Sequence, residues 1–300
     1  MSVTTWYITQ EQLLVFARYN IPFYLFLMPF CIFLNTIIIV VTIRSKRLRS
    51  NCNVLIAFQA VVDNFLVLAT IYPAHNAFLG RFVSISDCVF HQFPFVGVGY
   101  STSTVVLLIG VDRYLCVAHP VWYKSLKRAR YLSAYFLLSL CSSILFLSAQ
   151  YINRTFEPNV LCLPSETMTE GVKWGVFTHQ LLISMLIVFV YSRLRRCLKE
   201  LPVQRDTETR KIMKSLTVVV VVHLLGWACT HSIWCSSVIL ISDINLLQAL
   251  ELASTPFAGI NLAIPCIVYY KLSAVYRYEI RTLFRLKTPV DSVQLRNRLS

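Results

Sequence analysis

The sequence predicts an all-α membrane protein: a seven-transmembrane helix bundle followed by a short amphipathic eighth helix. Three observations carry that expectation. Only 14% of the 300 residues are charged, 56% are hydrophobic, and the mean hydropathy is +0.62, whereas a soluble domain carries about 25% charged residues. The apolar residues fall into seven long blocks. The basic residues gather in alternate loops between those blocks.

A block of about 20 apolar residues crosses a bilayer as a helix. Lipid offers no partner to backbone N–H and C=O groups, so each block must be a helix or part of a closed barrel. Barrel strands read as ~10-residue alternating segments, and these blocks are longer and do not alternate. They run Pro22–Ile43, Asn53–Ala74, Asp87–Tyr114, Ala129–Tyr151, Val172–Tyr191, Thr209–Ile241 and Leu246–Tyr270. No repeat, low-complexity tract or soluble domain interrupts them. Met1 to Asn20 contains Glu11 and Arg18 and lacks a basic start with an apolar core, so the first helix is expected to act as its own signal anchor. The expected organisation is an extracellular N-terminus over 1–21, the seven-helix region over 22–270, a membrane-surface helix over 271–286 and a cytoplasmic tail over 287–300.

The formal net charge of +14 raises the question of a nucleic-acid partner, and its distribution answers it. Four basic residues follow helix one (Arg44, Lys46, Arg47, Arg49). Five lie at the base of helix three and after it (Arg113, Lys124, Lys127, Arg128, Arg130). Eight lie between helices five and six, from Arg193 to Lys214, and seven in the tail, from Lys271 to Arg298. These are 24 of the 28 Lys and Arg residues, and seven alternating helices place all of them on one side. Basic residues near membrane spans stay cytoplasmic, so the N-terminus is expected outside and the tail inside. The charge is split among membrane-proximal loops, where it serves topology and contact with anionic lipid; nucleic acid is excluded as a partner.

Most of the ten cysteines lie in or beside helices, where a thiol behaves as a small apolar group. Two differ. Cys88 opens helix three on the outer side, and Cys162 lies in the longest outer loop. The outside is oxidising, so a Cys88–Cys162 disulfide is expected. Asn153-Arg-Thr155 in the same loop is a glycosylation sequon. Cys229, His231 and Cys235 share the outer half of helix six without a fourth ligand, which fits packing or a pocket better than a metal.

Helix three ends in Asp112-Arg113-Tyr114, 25 residues after Cys88. At ~1.5 Å per residue, one helix links the outer disulfide to this triplet across close to 40 Å. The triplet and its spacing resemble the rhodopsin-like G-protein-coupled receptors, and Ala118-His119-Pro120-Val121-Trp122-Tyr123 resembles their second inner loop. Asn35 resembles the family's helix-one asparagine, Asp63 its helix-two acid, Trp227 its helix-six tryptophan and Tyr191 its helix-five tyrosine. The run Asn261 to Tyr270 resembles the end of helix seven, in either of two registers. The preferred one matches Tyr269 to the family tyrosine; the other matches Pro265 to the family proline. The departures are a helix four without Trp, a helix five without its Pro, and Cys229 where helix six has Pro. They resemble the nematode serpentine chemoreceptors, the Srsx group in particular.

The resemblance implies a receptor that passes ligand binding outside to a heterotrimeric G protein inside. Asp112, Arg113, Tyr114, Tyr191 and Tyr269 are the expected coupling switch. Thr209 stands where some relatives carry a second acidic latch. Asn35, Asp63 and Asn261 are the expected polar core; many family members hold sodium there, but Leu262 and Pro265 replace polar members of the set, which puts sodium at Asp63 in doubt. Phe95, Gly99, His179, Trp227, His231, Trp234, Glu251 and Thr255 are the candidate pocket for a small molecule or short peptide. Phe95 stands where amine receptors carry Asp, which disfavours an amine ligand. His223 replaces the family's usual Phe one turn below Trp227. After Tyr270, apolar residues from Leu272 to Phe284 recur at helical spacing with Arg277, Arg281 and Arg285 beside them, the pattern of a helix lying on the membrane surface. The alternatives are weaker. Paired halves and helices broken near the midplane, which would mark a transporter, are not apparent. A metal-protease motif, phosphate loop or serine elbow is also missing, so neither an enzyme nor a cofactor is expected.

Overall fold

The computed structural model describes residues 7–154, 156, 159–200, 207–241 and 243–286, with the side chains of 207–214, 231 and 234–240 outside that description. The chain forms α1 (Gln10–Arg44), α2 (Asn51–Leu68), α3 (Ile71–Leu79), β1 (Val83–Ser84), α4 (Ile85–Gly99), α5 (Thr102–Ala118), α6 (Pro120–Ser125) and α7 (Arg128–Ile152). It continues with β2 (Asn159–Val160), α8 (Glu170–Lys199), α9 (Thr207–Leu240), α10 (Ile244–Leu272) and α11 (Ala274–Leu283). Among the described residues, six units have membrane-spanning length and hydropathy: α1, α2–α3, α4–α5, α7, α8 and α10. The seventh span is α9, 34 residues long with an apolar stretch over Ser215–Thr230. The seven-helix expectation holds.

The first span begins twelve residues earlier than its apolar block. Thr9 caps α1 through a reciprocal capping box with Gln12, satisfying orphan donors of the first turn. Leu13 and Ala17 are buried against Ala77 and Leu161, and Arg18 Nε donates to the Ala77 carbonyl at 3.2 Å. The polar residues that break the apolar run therefore sit on an amphipathic extension, and residues 10–21 belong to the bundle. At the other end, α11 is shorter than the expected 271–286. Ser273 separates it from α10 and caps it through the Tyr276 N–H. Tyr276 and Ile280 bury its apolar face. The expected tail, 287–300, lies outside the described residues.

The second span breaks at Ala69–Thr70 for a reason written four residues later. Pro73 has no N–H, and its ring crowds the carbonyl of residue 69. The Ala69 carbonyl instead accepts from Gln92 Nε2 at 2.8 Å, and the same amide nitrogen donates to the Cys162 carbonyl at 2.9 Å. Gln92 is fully buried. One side chain thus joins the kink of the second span, the third span and the outer loop. That loop is tied twice more: Cys88 is bonded to Cys162, and β1 pairs antiparallel with β2, Val83 opposite Val160.

The spans close into a ring. α1 packs on α2 and α10, α5 on α2 and α8, and α10 on α9. Glycine permits close approach at several points, two of them on the third span. A Cβ on Gly97 would fall 2.4 Å from Leu147 of α7, and one on Gly110 would fall 2.5 Å from the Tyr191 ring of α8. Phe26, Leu137 and Phe189 face outward, as lipid-facing positions do when lipid is as apolar as the side chain.

Candidate functional site: an outer cavity, a polar core and an inner switch

The inner end of the third span carries Asp112 and Arg113. Asp112 is buried, and its Oδ1 accepts from Tyr123 of α6 at 2.7 Å and from Tyr131 of α7 at 3.1 Å. Tyr131 spends its one hydrogen on Asp112, so the Tyr135 hydroxyl, 2.6 Å away, is placed to donate to it. Asn51 Nδ2 donates to the Tyr123 hydroxyl at 3.1 Å. Against these bonds the ion pair to Arg113 is long, 3.9 Å from Nε to Oδ2. The carboxylate is held by the loop and fourth span, and Arg113 is held by the carboxylate loosely. That arrangement suits a cation that must change partners, because a long pair gives up little when it opens.

Tyr191 lies over Gly110 beside this pair. Tyr269 stacks on Tyr276 of α11, with ring centroids 5.1 Å apart, and the Tyr276 and Thr42 hydroxyls lie 3.4 Å apart. Tyr114 turns away, its ring edge-on to His119. The structure therefore groups Asp112, Arg113, Tyr191 and Tyr269 and sets Tyr114 at the rim. The Thr209 side chain lies outside the described residues.

Above the switch, Asn35, Asp63 and Asn261 line one small cavity of about 30 Å³ with Gln59, His223 and Tyr191. Asp63 accepts from Gln59 Nε2 at 2.7 Å. Both side-chain polar atoms of Asn35 are buried without a protein partner among the described residues. With its amide oxygen facing the indole, Asn261 accepts from Trp227 Nε1 at 3.3 Å and donates to the Val222 carbonyl at 3.3 Å. Leu262 and Pro265 present hydrocarbon to this cavity, and Asp63 is the carboxylate lining it. The donor set suits a water-bridged polar core better than a sodium site. Among the described residues no His, Cys, Asp and Glu cluster is arranged to hold a metal.

The outer cavity has a volume of about 260 Å³ and is lined by the first, second, third, fifth, sixth and seventh spans and the outer loop. Gly99, His179, Trp227, Glu251 and Thr255 line it, Trp227 at the floor. Phe95 does not. Its ring turns to Phe65 of the second span, 6.5 Å between centroids, and on that turn Val96 faces the cavity in its place. His231 and Trp234 lie outside the described side chains. Glu251 and Lys173 face the mouth, and Ser165 donates to Glu251.

Glu166 in the outer loop is buried and accepts the Leu163 N–H at 2.6 Å. Burial, and then the charge of Glu251, push its carboxyl up from 4.5 to about 8. Lys173 of α8 opposes that shift. The folded state therefore holds this proton more tightly than the unfolded chain. The stability linked to it is complete below about 4.5 and is lost as pH rises through about 8. Thermal unfolding of the detergent-solubilised protein should show a midpoint that falls between pH 5 and 8, and Glu166→Gln should flatten that slope. An equal slope in both proteins would show that Glu166 does not set it.

Two comparisons bear on these three sites. The serpentine-type seven-transmembrane G-protein-coupled chemoreceptor family Srsx matches residues 28–284, a stretch that contains the polar core, the inner switch and most of the outer cavity's lining. The chain belongs to that family. Among individual proteins, human C-C chemokine receptor type 8 is 27% identical over 223 residues, covering 68% of this chain and 59% of that receptor. The octopressin receptor of Octopus vulgaris is 28% identical over 176 residues, covering 54% of this chain and 41% of that receptor. Human C-C chemokine receptor type 4 is 23% identical over 297 residues, covering 92% of this chain and 81% of that receptor. The matched region thus spans about 59% of the length of the first of these receptors.

Sequence reasoning about this Srsx member missed the tyrosines that hold Asp112, and it missed Gln92, Ser103 and Gln180. The available signal was polarity inside apolar blocks, where a polar side chain is expensive and needs a partner. Gln92, four residues after Cys88, lies on the helix face that meets the outer loop. Nothing in the chain order links Tyr131 to Asp112, nineteen residues away across a loop.

Proposed function

We propose that this protein is a chemosensory G-protein-coupled receptor that converts binding of an extracellular small molecule or short peptide into movement of the sixth span and activation of a heterotrimeric G protein. The observation that carries this reading is the pairing, on one third span, of a ligand-sized cavity at Gly99 and Ser103 with the Asp112–Arg113 pair at its other end. A seven-span channel or transporter is not favoured. The relatives are receptors by name, and family membership covers most of the chain. The N-terminus lies outside and the tail inside, as the basic loops require. Asn153, exposed at the outer end of α7, is the glycosylation acceptor.

In this reading Trp227 forms the cavity floor, and its indole bond to Asn261 ties the floor to the polar core. Arg113, loosely paired, exchanges Asp112 for the G protein when α9 moves, a two-state equilibrium biased by ligand. The outer cavity is largely apolar, with Glu251 and Lys173 at the mouth to orient a polar end.

The test is nucleotide exchange on G proteins in membranes of cells displaying the receptor, screened with volatile organics and short peptides. A saturable, ligand-dependent signal is the expected result. Ligand-gated current through the same protein, independent of G protein, would replace the receptor reading with a channel.

A further inference from the structure

Two hydrogen-bonded bridges cross the layer between the outer cavity and the polar core. One is Trp227 to Asn261. The other runs through residues outside the switch, with His223 at the edge of the polar core. Gln180 of α8 donates through Nε2 to Ser103 Oγ of α5 at 2.5 Å, and Ser103 Oγ lies 3.1 Å from His223 Nε2 of α9. Gln180 and Ser103 line the outer cavity, and His223 lines the inner one. Ser103 and His223 are both buried. Three spans thus meet in one polar chain at the depth where α9 must move.

The donor count gives this chain a direction. A serine hydroxyl carries one hydrogen. Ser103 accepts from Gln180, so its own hydrogen is available to His223 Nε2, which then accepts. A hydrogen-bond acceptor entering the cavity beside Ser103 competes for that same hydrogen. When it wins, the link between the third and sixth spans is broken at the floor.

We propose that Ser103–His223 is a latch opened by the ligand, and that the ligand therefore carries a hydrogen-bond acceptor, such as a carbonyl, ether or hydroxyl oxygen, that seats against Gln180 and Ser103. This rests on the receptor reading above. The acceptor takes the Ser103 hydrogen while the Gln180 amide supplies a second donor to the same oxygen, and α9 loses its hydrogen bond to the third span at this depth. Apolar analogues without the acceptor fill the cavity and leave the latch closed. No covalent bond changes and no proton leaves its parent atom: the serine hydroxyl only rotates.

The experiment compares ligand-independent nucleotide exchange in membranes carrying the parent, Ser103→Ala, His223→Phe and the double variant, at equal surface display, with Arg113→Ala as the blank. Each single variant should raise basal exchange roughly three- to tenfold, the range expected for one hydrogen bond between membrane helices. The double variant should equal the singles, because both remove the same bond. His223→Gln, which keeps a polar atom near Nε2, should raise basal exchange less than His223→Phe, which separates loss of the hydrogen bond from loss of the ring. For an agonist found by screening, the parent should prefer the acceptor-bearing compound over its hydrocarbon isostere, and Ser103→Ala should lose that preference. Unchanged basal exchange in both singles, or additive effects in the double, would overturn the latch. A parent no different from the Arg113→Ala blank under every ligand, while displayed at the surface, would overturn the receptor reading and the latch with it.

Discussion

Arg113→Ala is expected to abolish G-protein activation while leaving surface display near the parent level. Arg113 is largely buried at the inner end of α5, and its pairing with Asp112 is long at 3.9 Å. The carboxylate left behind keeps its Oδ1 bonds from Tyr123 and Tyr131, which offset part of the penalty of leaving a buried charge without its cation, so the expected loss of stability is smaller than the loss of function. Function depends on the guanidinium in a different way. In the proposed mechanism it is the cation uncovered when the sixth span moves, and alanine offers no donor in its place. The expected loss is at least a hundredfold in agonist-stimulated exchange, a difference of about 2.7 kcal/mol at ~1.4 kcal/mol per tenfold. Asp112→Asn should act in the opposite sense, raising basal exchange, because it weakens the hold on Arg113. Normal agonist response in Arg113→Ala would remove Arg113 from the mechanism. Parallel loss of display would mean instead that the residue is structural.

The second large effect is expected from breaking the Cys88–Cys162 disulfide. It closes a separation of 74 residues, and loss of a native disulfide typically costs about 2–5 kcal/mol. Local strain adds to the consequence. Cys162 has φ of +72°, a left-handed conformation that costs a non-glycine residue about 1–3 kcal/mol and persists only where its surroundings impose it. The disulfide and the Gln92 bond to the Cys162 carbonyl impose it here. With the disulfide gone, the segment from Leu161 to Thr167, which forms part of the cavity roof, can relax. Cys88→Ser, Cys162→Ser and the double variant should all lower the thermal midpoint in detergent by similar amounts, and all should lose agonist response. Midpoints equal to the parent would show that hairpin pairing and Gln92 hold the loop unaided. A double variant much worse than either single would point to separate roles for the two cysteines.

Helix number was legible, and an orientation could be expected, because lipid imposes simple rules on composition. Every backbone group must be bonded within a helix, and basic residues report the cytoplasmic side. The spacing of Cys88 to Arg113 is likewise a matter of rise per residue, readable without knowing any contact. Boundaries were harder. The start of α1 was hidden because a run of mixed polarity reads as loop until its buried face is known, and that face exists only because Ala77 and Leu161 are there to cover it. The break in the second span was half legible. Pro73 announces it, yet the answering donor, Gln92, comes from another helix.

The candidate site divides in the same manner. Asp112, Arg113, Asp63, Asn35 and Asn261 stood out as polar residues in apolar blocks, and residue type alone marked them. Phe95 was misplaced because one-turn periodicity does not say which neighbour a ring will meet, and Phe65 took it. By itself, then, the sequence determined a seven-span membrane protein, its expected orientation, its outer disulfide and its inner charged triplet, since each follows from the solvent or from rise along one helix. Tertiary structure alone decided that Tyr123 and Tyr131 hold Asp112, that Gln92 binds two carbonyls from different segments, and that Gln180, Ser103 and His223 form one chain. A hydrogen bond between helices depends on their relative rotation to within an ångström, and helical rotation is set by the packing of all seven spans together.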